Sequence, residues 1–200
     1  MSAVDLGPAT DRVAELVRAV GEELLDAPTP CPEYRLGDLL DHVGGLALAF
    51  AAAAEKQTGG SAAQGPSGDA SRLGDDWRTR IPAALRTLAE AWRDPAAWSG
   101  TTEAGGVELP GEVAGLVALN EVVVHGWDIA RASALPYEPD HASLEAVHGF
   151  LSGFVGSVPD SQADGPFGPA IELPDDAPLL DHVVALAGRD PAWPAGREVS

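Results

Sequence analysis

Apolar residues recur every three or four positions along most of the chain, and Pro- and Gly-rich runs divide that pattern into six amphipathic stretches. Val13, Leu16, Val17, Val20 and Leu24 predict a helix over residues 8–25, with Thr10 or Asp11 as its N-cap. Prolines at 28, 30 and 32 forbid helix, so residues 27–34 are expected to form a rigid extended connection that re-aims the chain. A second helix is predicted over 36–56, where Leu39, Leu40, Val43, Leu46 and Phe50 share one side. Small residues at 47–54 would let a neighbour approach it closely. Residues 57–74 have no apolar period and read as a mobile loop, either a lid or a long link.

Asp75 or Asp76 can cap a third helix that runs to Arg93 and carries Trp77, Ile81, Leu85, Leu88 and Trp92. Pro82 lies inside that pattern, so the helix should begin near Ile81 or kink there. Residues 98–110 suggest an extended crossover with a short strand pair. The longest helix spans 112–134, with Val113, Leu116, Val117, Val124 and Ile129 facing inward. A fifth helix, capped by Asp140, covers 140–155, and a short sixth covers 178–187 after a strand-like 170–173. The sum is an all-α chain: a four-helix bundle with long crossover connections over 1–156, and a C-terminal extension over 157–200 with a short helix and short strands, packed on the bundle.

Composition narrows the function classes. Twelve Lys and Arg against 31 Asp and Glu give a net charge of −19, which repels nucleic acid. The longest apolar run, 44–54, is too short to span a bilayer, and the N-terminus lacks the marks of a signal peptide. The expectation is a cytoplasmic protein with neither membrane nor nucleic-acid partners. A single cysteine, Cys31, excludes an internal disulfide and a Cys-based zinc knuckle, and reads as a small buried hydrophobe.

Any metal must then be held by His and carboxylates. Glu121 precedes His125 by four residues, so both project from one face of the fourth helix and can grip one ion. His42 on the second helix would supply a third ligand. Imidazole plus carboxylate suits zinc first, with nickel, iron or manganese as alternatives, and three protein ligands leave one position open. Asp38, one turn before His42, is placed either to orient that imidazole or to face the helix dipole as a first-turn carboxylate. Asp128 reads as a support for His125 or, with slight preference, as an ion-pair partner of Arg131. Arg131 could meet a substrate carboxylate at the mouth of the site or simply be solvated. Trp127 reads as core, and His141, His148 and His182 as surface or packing residues.

Two stretches, TPCPEYRLGDLLDHVGG at 29–45 and NEVVVHGWDIAR at 120–131, resemble the paired signatures of the DinB/YfiT-like metalloproteins. The nearest branch is the metal-binding domain of mycothiol-dependent maleylpyruvate isomerase. The resemblance implies a four-helix bundle in which His42, Glu121 and His125 match a divalent-metal triad. It also implies mycothiol as a thiol cosubstrate and a thiol-dependent isomerase or S-transferase acting on a small electrophile. A homodimer is compatible with it. The short stretch after Val155 predicts that the isomerase's additional C-terminal domain is missing, which disfavours maleylpyruvate as substrate. The alternatives are a non-catalytic metal-binding or sensor module and a metal-dependent hydrolase.

Overall fold

Four helices with one apolar face each leave water most completely by turning those faces toward one another, and α1 (Gly7–Ala19), α2 (Leu36–Ala54), α3 (Trp77–Ala91) and α4 (Gly111–Ser133) do so. The computed structural model describes residues 3–57, 67–155 and 169–195. Around the bundle the neighbours run α1, α3, α2, α4, so sequence neighbours α1 and α2 stand on a diagonal. Val13 and Val17 of α1, Leu39, Leu40 and Val43 of α2, Ile81, Leu85 and Leu88 of α3, and Leu119, Val123 and Ile129 of α4 meet in the core with essentially no exposure. Each such side chain contributes about 1.5–3 kcal/mol of burial. Two further helices, α5 (His141–Val155) and α6 (Leu179–Leu186), pack on each other and on α4. The architecture is the all-α bundle with long crossovers that the periodicity predicts.

Several local expectations are revised. Helix α1 starts at Gly7 with Leu6 as N-cap and no side-chain cap. Pro8 enters at its first turn, and Thr10, expected to cap, donates its hydroxyl to Gly7 O instead. The helix also stops at Ala19, and Glu22–Leu24 form a separate 3₁₀ turn. Asp76 sits at the N-cap of α3 without a side-chain capping hydrogen bond, and α3 runs unbroken from Trp77 past Pro82. No strand forms at 170–173, although Ile171 N–H donates to Ala185 O at the end of α6 (3.0 Å). The lid-or-link reading of 57–74 falls largely on 58–66, outside the described residues. By length and composition α2 and α4 are each apolar enough to cross a membrane, but both lie mostly buried within the bundle. Their apolarity is that of core helices.

The long crossover between α3 and α4 is an antiparallel hairpin, β1 (Thr101–Ala104) and β2 (Val107–Pro110), closed by Gly105 and Gly106 at φ of 60° and 78°. Two consecutive positive φ values make this a type I′ turn, which non-glycine residues adopt at a cost. Thr102 Oγ1 and Lys56 Nζ hydrogen-bond Ala53 O and Ala97 O (2.5 and 2.6 Å), tying the crossover to the end of α2. Pro139 and Asp140 precede α5, and Asp140 caps it as expected, accepting from Ser143 N and Oγ.

Close approach of α1 to α4 depends on Gly126. A Cβ there would stand 2.7 Å from Val13 Cγ2 and 2.5 Å from the Tyr137 hydroxyl, which hydrogen-bonds Val123 O. Gly126→Ala is therefore expected to cost about 1–3 kcal/mol through overpacking. Gly149→Ala, on an exposed face of α5 with nothing near the new methyl, should stabilise by up to about 1 kcal/mol. Thermal denaturation of the two variants beside the parent checks both signs.

Candidate metal centre

α2 and α4 are neighbours in the bundle, and this brings His42 against Glu121 and His125. One α-helical turn between 121 and 125 puts both α4 side chains on the face that meets α2. Glu121 Oε2 lies 3.1 Å from His125 Nε2 and 3.8 Å from His42 Nε2. The three donor atoms all fall within 4.8 Å of one another. Donors about 2.0–2.1 Å from a tetrahedral zinc stand roughly 3.3 Å apart, so the cluster needs only small adjustments to close on an ion. The two imidazoles meet edge to face, their centroids 5.0 Å apart. Two nitrogens and a carboxylate oxygen form a donor set that fits zinc, and among the described residues no Lys or Arg ion-pairs with Glu121.

The charges around the cluster hold its members in defined protonation states. Burial disfavours the charged form of Glu121, yet hydrogen bonds from His125 and His42 outweigh it and hold the carboxyl well below its ordinary range. Burial likewise opposes a charge on His125, but hydrogen bonds to Asp128 and Glu121 override it and raise its pKa to about 9. Without a metal, a proton on His125 therefore supplies positive charge between two carboxylates. Behind the ring, Asp128 Oδ2 accepts from His125 Nδ1 at 3.0 Å, which directs Nε2 toward Glu121 and His42.

The other candidates fall into place around this centre. Asp128 supports His125 and does not form the expected pair with Arg131. Arg131 is turned away from any mouth: its Nη2 donates to Pro191 O (3.1 Å) and to Trp193 O, and its guanidinium stands over Trp127 at 5.5 Å. Trp127 is buried, as read from the pattern. Asp38 serves backbone groups, accepting from Arg35 N at the start of α2 (3.3 Å) and from Ala70 N (2.8 Å). That is the first-turn alternative. His141 is exposed and pairs with Glu145, while His148 and His182 meet each other between α5 and α6.

Three participants carry no spacing that would assign them to the centre, although Cys31 and Tyr34 lie within the 29–45 stretch. Tyr34, from the proline-rich connection, lays its ring against His42 with centroids 4.9 Å apart. Cys31 brings its thiol within 4.8 Å of the His125 and Asp128 donor atoms, and burial pushes its pKa up, so it stands there as a neutral thiol. Arg189, beyond α6, reaches Asp128 with Nη2 and Nε at 3.2 and 3.4 Å. Asp128 is thus occupied by an imidazole and a guanidinium, which makes the Cys31, His125, Asp128 group a backing to the centre and not a second one. Glu121 keeps 23% of its side-chain surface exposed and Asp128 none, so the cluster is least buried on the Glu121 side.

The comparisons with known proteins converge on one family. The solved structure of the mycothiol-dependent maleylpyruvate isomerase superposes with a TM-score of 0.55, covering 73% of this chain and 66% of that one. At 15% identity this likeness concerns the fold, and the chain spans just under two thirds of that isomerase. Two uncharacterized proteins of Mycobacterium tuberculosis, MT0763 and Rv0738, are each 29% identical over 182 residues, 90% of this chain and 93% of theirs. The family model of the mycothiol maleylpyruvate isomerase N-terminal domain matches residues 6–130, a span that holds all three proposed ligands. With that match over more than half its length, the chain belongs to the mycothiol maleylpyruvate isomerase N-terminal domain family.

Proposed function

We propose that the protein binds one divalent cation, zinc by preference, through His42, Glu121 and His125, and uses it to activate a low-molecular-weight thiol of the mycothiol type toward a small electrophile. The observation that carries this reading is the convergence of three donors from two facing helices, with Glu121 the least buried of the three. A zinc ion held there would lower the pKa of a thiol at its open position so that thiolate is present at neutral pH.

The chain's own residues then do three things. Glu121 draws both Nε2 atoms to one point and offsets part of the ion's charge. Asp128 keeps the Nδ1 proton on His125 and the Nε2 lone pair on the inner side. Tyr34 and the walls of α2 and α4 fix the His42 ring and limit water at the cluster. His42, Glu121 and His125 would hold the ion, and the chemistry it would supply is a thiolate able to add reversibly to an activated double bond, with the π pair taken up by the activating carbonyl and rotation about the former double bond giving isomerisation, or to displace a leaving group, giving S-transfer.

Purified protein is expected to hold about one zinc per chain, and His125→Ala or Glu121→Gln should weaken zinc more than about 100-fold in competition with a chromophoric chelator. Equal affinity in parent and variants rejects the ligand set. The zinc-loaded protein should accelerate thiol addition to a maleyl compound, and a rate no higher than that of the thiol alone, across several thiols, rejects the activity.

The metal-free protein should show a pH signature. His125 has a raised folded pKa, so its stabilising contribution is complete below about 6.5 and is lost as pH climbs through about 9. Glu121 has a lowered one, so its contribution is present above about 4.5 and is lost as pH falls. Denaturant titrations of the chelated protein should therefore show a loss on the order of 1–3 kcal/mol between pH 6.5 and 9. Saturating zinc, which takes the place of the His125 proton, should flatten that slope.

A further inference from the structure

The strongest feature outside the ligand set is the path by which the C-terminal segment reaches the centre. After α6 the chain turns at Gly188 (φ 77°) and sends Arg189 inward. Its guanidinium is mostly buried and meets both oxygens of Asp128, the carboxylate that holds His125 Nδ1. Asp128 is wholly buried, so its charge requires partners inside the protein, and a forked guanidinium can satisfy both oxygens at once. Past Arg189 the same segment is fastened a second time, by Arg131 of α4 to the carbonyls of Pro191 and Trp193. The two arginines thus clamp residues 187–193 to α4 from opposite directions, one from the segment and one from the helix. Arg189 lies outside the 6–130 match that defines the family, 61 residues from the carboxylate it braces.

We infer that Arg189 is a positioning residue of the metal centre, and that docking of the C-terminal segment and metal binding are thermodynamically coupled through Arg189, Asp128 and His125. The inference rests on the metal reading above. With Arg189 in place, Asp128 is fixed in the orientation that accepts the Nδ1 proton, and the Nε2 lone pair of His125 points at Glu121 and His42. When the segment leaves, Asp128 loses its permanent cation and the imidazole loses its fixed direction. Outer partners of metal-binding histidines typically change affinity by about 10–100-fold. Linkage makes the effect reciprocal, so if undocking weakens the metal by a given factor, the metal must tighten docking by the same factor.

The full-length chain supplies the test, with zinc alone as the probe. Zinc affinity by chelator competition should fall about 10–100-fold in Arg189→Met and less in Arg189→Lys, which keeps the charge but loses the fork. Cobalt-substituted Arg189→Met should show an altered ligand-field spectrum, a change that a remote loss of stability would not produce. Amide hydrogen exchange over residues 187–193 in the parent should slow on zinc loading, by a factor similar to the affinity change. Unchanged zinc affinity and cobalt spectrum in a folded Arg189→Met overturn the inference. If that variant does not fold, zinc-independent exchange of 187–193 in the parent overturns it equally. A parent that binds no zinc removes the metal reading itself, an outcome distinct from a parent that binds zinc indifferently to Arg189.

Discussion

A nearly buried imidazole held between two carboxylates governs this structure. His125 contacts Glu121 through Nε2 and Asp128 through Nδ1, and two anions this close inside a helical bundle would repel each other and resist burial without positive charge between and around them. The positive charge comes from a proton on His125 or from a cation in front of it, and from Arg189 behind. Each arrangement leaves the imidazole in one orientation. The surrounding chain therefore has to deliver a second imidazole to the front and a guanidinium to the back, and α2 and the segment after α6 do so.

That requirement explains why the crossovers are long. His42 must approach α4 from a helix that is its neighbour in space, and the bundle order α1, α3, α2, α4 makes α2 that neighbour while leaving α3 on the far side. Chain leaving α3 must then cross the end of the bundle to begin α4, whose Gly115 meets Trp92 at the end of α3, and the glycine-closed hairpin makes that crossing while its Thr102 stays anchored to α2. The proline-rich connection before α2 has a similar dual use. Too stiff to form helix, it returns to pair Pro28 with Arg35 across an isolated bridge and sets Cys31 and Tyr34 on two sides of the histidines.

Much of this was legible in the chain because it rests on local periodicity. The four bundle helices follow from apolar spacing, and the Glu121 and His125 pair follows from a single helical turn. His42 was legible because it lies on the inward stripe of Leu39, Leu40, Val43 and Leu46. Boundaries and partners set by tertiary contact were not. Thr10 and Asp11 look like caps in sequence, but Pro8 lets the helix start earlier. Asp128 and Arg131 stand at ideal ion-pair spacing on α4, yet each finds a better partner from the C-terminal segment. Ala170 to Leu173 alternates like a strand, but among the described residues it pairs with no strand, and Ile171 makes a backbone bond to Ala185 of α6.

The contrast between the ligands and their brace has a physical basis. A metal ligand is constrained in register: it must occur on the correct turn of the correct helix, so the helix pattern announces it. A brace is constrained only in reach. An arginine side chain is long and flexible, and its backbone needs only to pass within several ångströms of the buried carboxylate, from any segment and in either direction. No spacing rule applies to such a residue, and a family signature built on the first 130 positions would pass over it even if every member required one. The place to look for it in a relative is therefore the buried carboxylate three residues after the second histidine. A chain that keeps a buried aspartate there has to bring a cation to it from somewhere, and the segment that brings it becomes part of the proposed centre.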